Sequence, residues 1–309
     1  MKEIKYTNAA DTASEKIKSD ADHADSGNAL LSMRRIIRLD RPTFNRLRDY
    51  IYTQTGIFIP DKKLYLLQSR LQKRIRALQL LSFIDYFRYV QRQENDDEIN
   101  KLINAVTTNE TYFWREPRHF DVMINVLIPA LMQNPNRTEL RIWSAACSTG
   151  EEIYTIALLL HEYQYVLQGK PVTIWGSDIS SEVLEKARIG LYNDYAMRNV
   201  AEHWKKKYFD VVGEKEYQIK QYIRDSVIFK KVNLFNERDI SQFSNIDILL
   251  CRNVMIYFHA DGKRTLLRRF RTIISPDGFL LVGHSESLHA FADCFTLTRM
   301  NKTFVYVKT

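Results

Sequence analysis

In the stretch DKKLYLLQSRLQKRIRAL, Leu64, Leu67, Leu71, Ile75 and Leu78 recur at spacings of three and four, which predicts an amphipathic helix with Asp61 capping its start. The same helical texture runs from residue 34 to about Val106 and predicts a small helical domain over 34–106. Ahead of it, residues 1–33 are rich in Asp, Ser, Ala, Asn and Lys and poor in large apolar groups, a composition expected of a disordered tail.

After Asn109 the pattern changes. Short apolar runs LRIWSAA (140–146), VTIWGSD (172–178), DSVIFKKVNLF (225–235), IDILLCRN (246–253) and GFLLVGH (278–284) read as strands. They alternate with helical runs at 151–163, 181–190 and 263–274, and SPDG (275–278) reads as a turn. Alternation of this kind predicts an α/β fold with a mostly parallel sheet covered on both faces. The end of the chain, CFTLTRMNKTFVYVKT, reads as an antiparallel hairpin turning at Met300-Asn301-Lys302. Residues 107–122 then form an interdomain segment, and 123–309 the α/β domain. Within that domain, residues 193–224 break the alternation and contain a short hairpin around Gly213-Glu214-Lys215, so they are read as an insertion carrying a small β-subdomain.

The 309 residues are 45% hydrophobic and 27% charged, as in a water-soluble globular chain. No apolar run is long enough to cross a bilayer and the N-terminus lacks a secretory core, so a cytoplasmic protein is expected. Cys147, Cys251 and Cys294 are far apart and form no disulfide or CxxC pattern, and the seven histidines show no ligand spacing, so no metal is expected. The net charge of +8 is concentrated: between Arg34 and Val90 thirteen basic side chains face four acidic ones. On the helix that begins near Leu64, Lys63, Arg70, Lys73 and Arg74 gather on one flank of the apolar stripe and predict an acidic partner surface.

In an open α/β sheet the ligand sits beyond the C-terminal ends of the strands, near the point where strand order reverses. WSAACSTGEEIY (143–154) stands at such an end, with a single glycine, no lysine and two adjacent acids, Glu151 and Glu152. It lacks GxGxxG and GxxxxGK[ST], so it need not hold a pyrophosphate, and its acids suit a cationic or hydroxyl-rich ligand. Asp178 ends the second strand, 28 residues after Gly150, where an acid can accept from ribose hydroxyls. Asn233 closes the third strand, where an amide or its neighbouring backbone can read an adenine edge, and Arg252 and Asn253 close the fourth.

Taken together, TTNETYFWREPRHF (107–120), WSAACSTGEE (143–152), SDISSEVLEKARIG (177–190), VNLF (232–235), CRNVMIYF (251–258) and GHSESL (283–288) resemble the CheR family in order and spacing over roughly residues 34–309. These are the S-adenosylmethionine-dependent glutamate methyltransferases of bacterial chemoreceptors. The resemblance implies a class I methyltransferase, Rossmann-like sheet and a reaction giving glutamate methyl esters and S-adenosylhomocysteine. It further implies that Asn109, Thr111, Arg115, Glu152, Asp178, Asn233, Leu234, Arg252 and Asn253 surround the cofactor, and that Arg115 and Tyr257 lie nearest the transferred methyl. Arg70, Lys73 and Arg74 would dock on the receptors' helical cytoplasmic bundle, placing the protein at receptor arrays through its substrate, with neither nucleic acid binding nor membrane insertion. In some members the β-subdomain grips a receptor's C-terminal pentapeptide through a glycine-rich loop; DVVGEKEYQ is short with one glycine, so no such tether is expected. Ile153 and Trp114 depart from the commoner pattern and are read as packing changes. A nucleic-acid methyltransferase is the rival suggested by the basic charge, but CRNVMIYF has no proline of a [DNS]-P-P-[YF] turn. A silent S-adenosylmethionine-binding regulator is the other, and Arg115 and Tyr257 argue against it.

Overall fold

The computed structural model describes residues 37–92, 96–301 and 303–309; the expected tail at 1–33 lies outside them. Helix α1 (Arg41–Thr55) starts at Asp40, whose carboxylate accepts from the Thr43 amide over 2.8 Å, with Pro42 in the first turn where no amide is needed. A 3₁₀ turn (Asp61–Lys63) leads into α2 (Leu64–Ala77), followed by α3 (Phe83–Val90) and α4 (Asp96–Val106). Leu67, Leu71 and Ile75 of α2 are buried against Phe44, Leu47 and Ile51 of α1 and Phe83 and Tyr86 of α3, while Leu64 and Leu78 flank this core. Asp61 does not cap a helix. Its carboxylate takes Arg41 at 2.7 Å and Arg48 at 2.9 Å, because two guanidinium groups outcompete a backbone amide for an exposed acid.

The α/β domain contains β1 (Leu140–Ala145), α5 (Glu151–Glu162), β2 (Val172–Asp178), α6 (Ser181–Ile189), β3 (Leu191–Asn193), β4 (Phe209–Gly213), β5 (Glu216–Ile219), β6 (Val227–Lys231), β7 (Ile246–Cys251), α7 (Ala260–Ile273), β8 (Ile274–Val282), β9 (Phe295–Met300) and β10 (Thr303–Lys308). Seven strands form one sheet in the order β6-β2-β1-β7-β8-β10-β9, all parallel except β10, which runs antiparallel to β8 and β9. This is the class I methyltransferase arrangement, with the small helical domain in front of it.

Strand periodicity feeds two cores. Along β1, Leu140 and Ile142 pack on one face with α5, whereas Trp143 and Ala145 face the other with Phe243 and Phe270. The order reverses between β2-β1 and β1-β7, which opens a crevice above the C-terminal end of β1.

Two expected boundaries shift. The SPDG turn is absorbed into β8, where a register shift opposite Ile246 and Ile248 accommodates it and Ser275 donates to buried Asp247 over 2.7 Å. The insertion starts before residue 193, since β3 is the first strand of a separate three-stranded sheet in the order β3-β5-β4. The Gly213-Glu214-Lys215 hairpin lies within it, between β4 and β5. No helix among the described residues is long and apolar enough to cross a membrane.

Candidate active site

The turn after β1 is built from alternating left-handed residues: Ala146, Ser148 and Gly150 have φ of 64°, 51° and 94°. A Cβ on Gly150 would come within 3.0 Å of the Ala187 methyl, so glycine serves both the conformation and the approach of α6. The turn is held by the Cys147 amide on the Ser177 carbonyl at 2.8 Å and the Ser148 amide on Asp178 at 3.0 Å. Asp178 also accepts from the Ser180 amide at 2.9 Å, while Ser180 rather than Asp178 caps α6 through the Val183 amide. Burial raises the Asp178 carboxyl above its ordinary range, and these two amides oppose that rise.

The paired acids that follow diverge. Glu151 points into protein, accepts from the Thr149 hydroxyl at 2.7 Å, and is pushed up to about 7 by burial. Glu152 turns to the crevice. One of its oxygens accepts from Ser144 at 2.7 Å and the other from Arg252 at 2.5 Å.

Arg252, whose side chain is 2% exposed, ties three separate segments together. Besides Glu152 it reaches the Arg115 carbonyl at 2.7 Å and the Glu116 carboxylate at 2.9 Å. Burial alone would lower the pKa of Arg252, but Glu152 and Glu116 outweigh it and raise the pKa. Burial likewise opposes ionisation of Glu116, yet His119 and Arg252 hold that carboxyl well below the usual range. Glu116, His119 and His284 bring donor atoms within 4.8 Å of one another, but the Glu116 carboxylate in that group is already committed to Arg252.

A second buried acid supports the end of β7. Glu286 accepts from the amides of Asn253 and Gly283, each at 2.7 Å, and so fixes the left-handed Asn253, whose φ is 60°. The turn then passes through a 3₁₀ segment (Met255–Tyr257), and the Tyr257 carbonyl accepts from the Phe58 amide at 2.8 Å.

The helical domain closes the crevice from above. Asn233 donates its side-chain amide to the Gln54 carbonyl at 2.7 Å, and its side-chain oxygen accepts from the Phe235 amide at 2.9 Å. Phe235 lies against Gly56, the left-handed residue that ends α1, so closely that a Cβ there would stand 2.4 Å from the ring. Residues 107–111 cross between the domains; the Ser148 hydroxyl donates to the Asn109 carbonyl at 3.0 Å.

The resulting cleft, about 1250 Å³ out to its open mouth, is lined by Asn109, Thr111, Arg115, Glu152, Asp178, Asn233, Leu234, Arg252, Asn253 and Tyr257. The structure therefore gathers every cofactor-site and catalytic candidate of the sequence into one cavity. Thr55, Ile57, Ala146, Ser148 and Ile179 also line it and were not singled out from sequence. Glu116 and Glu286 lie behind it in quoted motifs, but as partners of buried groups and not as lining. The donor set fits a nucleoside bearing a positive sulfonium and an amino acid: Glu152 in the first turn of the helix after β1, Asp178 at the end of β2, and apolar Ile179, Val232 and Leu234 beyond β2 and β6.

Arg70, Lys73 and Arg74 lie apart from the cleft, and two of them are engaged. Arg70 donates to the carbonyls of Val106 and Thr107, the latter at 3.2 Å, and to the Thr108 hydroxyl at 2.8 Å. Arg74 forms a two-pronged pair with buried Glu98 at 2.9 and 2.6 Å, with Tyr86 donating to the same carboxylate at 3.0 Å. Lys73 is exposed. Trp114, one of the two departures, packs on Trp204 of the insertion at 5.1 Å between ring centroids, and Ile153 is fully buried.

Residues 109–304 match the family described as CheR methyltransferase, SAM binding domain, and residues 42–107 match its all-alpha domain. The Chemotaxis protein methyltransferase 2 of Vibrio cholerae is 35% identical over 86% of this chain and 92% of its own length. The Chemotaxis protein methyltransferase of Borreliella burgdorferi is 36% identical over 82% and 90%, and that of Escherichia coli 36% identical over 87% and 92%.

Proposed function

This chain belongs to the CheR methyltransferase family, and from that premise we propose that it transfers a methyl group from S-adenosylmethionine to glutamate side chains of chemoreceptors. The products are glutamate methyl esters and S-adenosylhomocysteine, and the role is chemotactic adaptation or related signalling. The observation that carries this reading is that Arg115 and Tyr257 open into the same cleft as Glu152, Asp178 and Arg252.

When bound, S-adenosylmethionine supplies an electrophilic methyl on a sulfonium sulfur. The residues of the chain then have mainly positional work to do. A glutamate carboxylate, with a reference pKa of about 4.3, is already ionised at neutral pH, so no general base is required. Asp178 accepts hydroxyl hydrogens at the ribose, and Asn233 and Leu234 cover the base. Glu152, paired with Arg252, faces the amino-acid end, with Asn109, Thr111 and Asn253 completing the walls. Arg115 is steadied by its bond to the Glu110 carbonyl at 2.8 Å and holds the incoming carboxylate. Tyr257 orients that carboxylate or packs the methyl, and the cleft walls exclude water.

The acceptor is a glutamate on the helical cytoplasmic bundle of a receptor, reached from the cytoplasm without insertion into the membrane, and nucleic acid is not a substrate. Docking uses the exposed basic face around Lys73. The β4-β5 turn is too short for a glycine-rich tethering loop. The test is incubation with labelled S-adenosylmethionine and purified receptor cytoplasmic fragments, followed by base. Label released as methanol supports a glutamate ester; base-stable label overturns it.

A further inference from the structure

Beside Arg115, which lines the cleft, lies a second arginine for which the reaction as described has no use. The guanidinium carbon of Arg198 sits 3.4 Å from the ring centroid of Tyr112 and 3.9 Å from that of Tyr195, so the group is held between two aromatic faces. Its Nη1 donates to the Tyr195 carbonyl at 2.6 Å. Tyr195 in turn donates its hydroxyl to the Glu110 carboxylate at 2.8 Å, and the Glu110 carbonyl is the acceptor that steadies Arg115. Tyr112 touches both arginines, since the Arg115 guanidinium carbon is 5.9 Å from the same ring.

Three consequences follow from this geometry. Two stacked rings and a backbone bond remove most of the side-chain freedom of Arg198, so a ligand would not have to pay that ordering entropy. The guanidinium carries five N–H donors and among the described residues forms one bond, which leaves an outward edge to donate. Neither Arg198 nor Arg115 forms an ion pair with a carboxylate of the described residues, and Arg198 is exposed. Glu110, the acid of this cluster, gives its carboxylate to Tyr195.

We infer that Arg198, clamped between Tyr112 and Tyr195, is a positioning residue that binds a second carboxylate of the acceptor helix while Arg115 holds the one to be methylated. The inference rests on the proposed function. Both guanidinium groups lie within 6 Å of one ring, so their carbons stand no more than about 9 Å apart, less than two turns of a helix rising 5.4 Å per turn, and an acid three, four or seven residues from the acceptor is the kind that can meet Arg198. A planar fork held in place recognises a carboxylate better than a lysine ammonium would.

The experiment uses the full chain and a receptor cytoplasmic fragment that accepts label from S-adenosylmethionine. Arg198→Ala is expected to raise KM for the fragment about tenfold, to change kcat much less, and to leave the Kd for S-adenosylhomocysteine within twofold. Arg198→Lys should recover part of the loss. Fragments in which Glu or Asp at three, four or seven residues from the acceptor is replaced by Gln should show the same KM rise with the wild-type enzyme and little further rise with Arg198→Ala. An unchanged KM in Arg198→Ala overturns the inference, as does an equal loss of S-adenosylhomocysteine affinity. Additive losses for enzyme and fragment changes overturn it too. If the wild type methylates no receptor fragment, the proposed function falls and this inference with it; a methylating wild type with an indifferent Arg198 overturns the inference alone.

Discussion

The side-chain amide of Asn233, just beyond β6, donates over 2.7 Å to the backbone carbonyl of Gln54 near the end of α1. One residue thereby closes the proposed adenine side of the cleft and fastens the helical domain to the sheet. Asn233→Asp keeps an oxygen for the Phe235 amide but sets a carboxylate against a carbonyl. It is expected to cost about 1–3 kcal/mol of stability and to weaken S-adenosylhomocysteine binding at least tenfold, as read by calorimetry and thermal melting. Unaltered affinity would show that the clamp and the ligand wall are independent.

Gly56 and Phe235 offer a complementary test. A methyl at position 56 meets the Phe235 ring at 2.4 Å and also forces an L-residue to φ of 72°. Gly56→Ala should destabilise by about 2–4 kcal/mol from overlap and strain together. Adding Phe235→Leu should give back part of that loss, a non-additivity visible in denaturant melts.

Glu151 carries a pH signature. Burial pushes its carboxyl up to about 7, so between roughly pH 4.5 and 7 the folded state binds a proton that the unfolded state has lost. Stability from this group therefore falls as pH rises through that window, by up to about 3 kcal/mol. Glu151→Gln, which stays neutral, should melt higher than wild type at pH 8 and equal to it below about pH 4. A constant difference across pH would show that the carboxyl is ionised throughout.

Arg115 and Tyr257 separate chemistry from fold. Arg115→Ala is expected to reduce kcat/KM for a receptor fragment by a hundredfold or more, about 3 kcal/mol of transition-state stabilisation. Tyr257→Phe should lower kcat about tenfold with an unchanged melting temperature. Near-normal turnover in either variant removes that residue from the reaction.

On α2, the three basic candidates should behave differently. Arg74→Ala leaves the Glu98 carboxylate buried and short of its guanidinium, at a cost of about 3–5 kcal/mol. Lys73→Glu should leave melting unchanged and weaken fragment methylation most at low salt, where exposed charges are least screened. Equal melting of the two variants would mean that the Arg74 pair contributes nothing to the domain.

The contrast on α2 shows what a single chain discloses. A period of three and four told which way Leu67, Leu71 and Ile75 point, because burial of a stripe is a local property. The same period put Arg70 and Arg74 on the flank but was silent about what waits there: the Thr108 hydroxyl and the Glu98 carboxylate lie 38 and 24 residues away. Strand ends at Asp178, Asn233 and Arg252 were legible for a comparable reason, since a β-run stops visibly and the fold puts ligands at such stops. The partners of Arg252 were not, for Glu152 is 100 residues distant. Asp61 misled because a helix start and an acid nearby suggested a cap, while Arg41 and Arg48 came from another helix. Gly56 carried a readable signal as a glycine closing a helical run, but only the structure shows the ring it admits.

The bond from Asn233 to Gln54 spans 179 residues of chain, and this sets a sequence of events at the ribosome. At about 5–20 residues per second, the helical domain, complete at Val106, emerges on the order of six to twenty-five seconds before the segment that fastens it. Through that interval the helices must persist on their own core of Phe44, Leu47, Leu71 and Tyr86. No small molecule can assist them then, because the cleft has not yet acquired its opposite wall. Competence to bind arrives late in translation, and changes that weaken the helical core should show first in the yield of newly made protein.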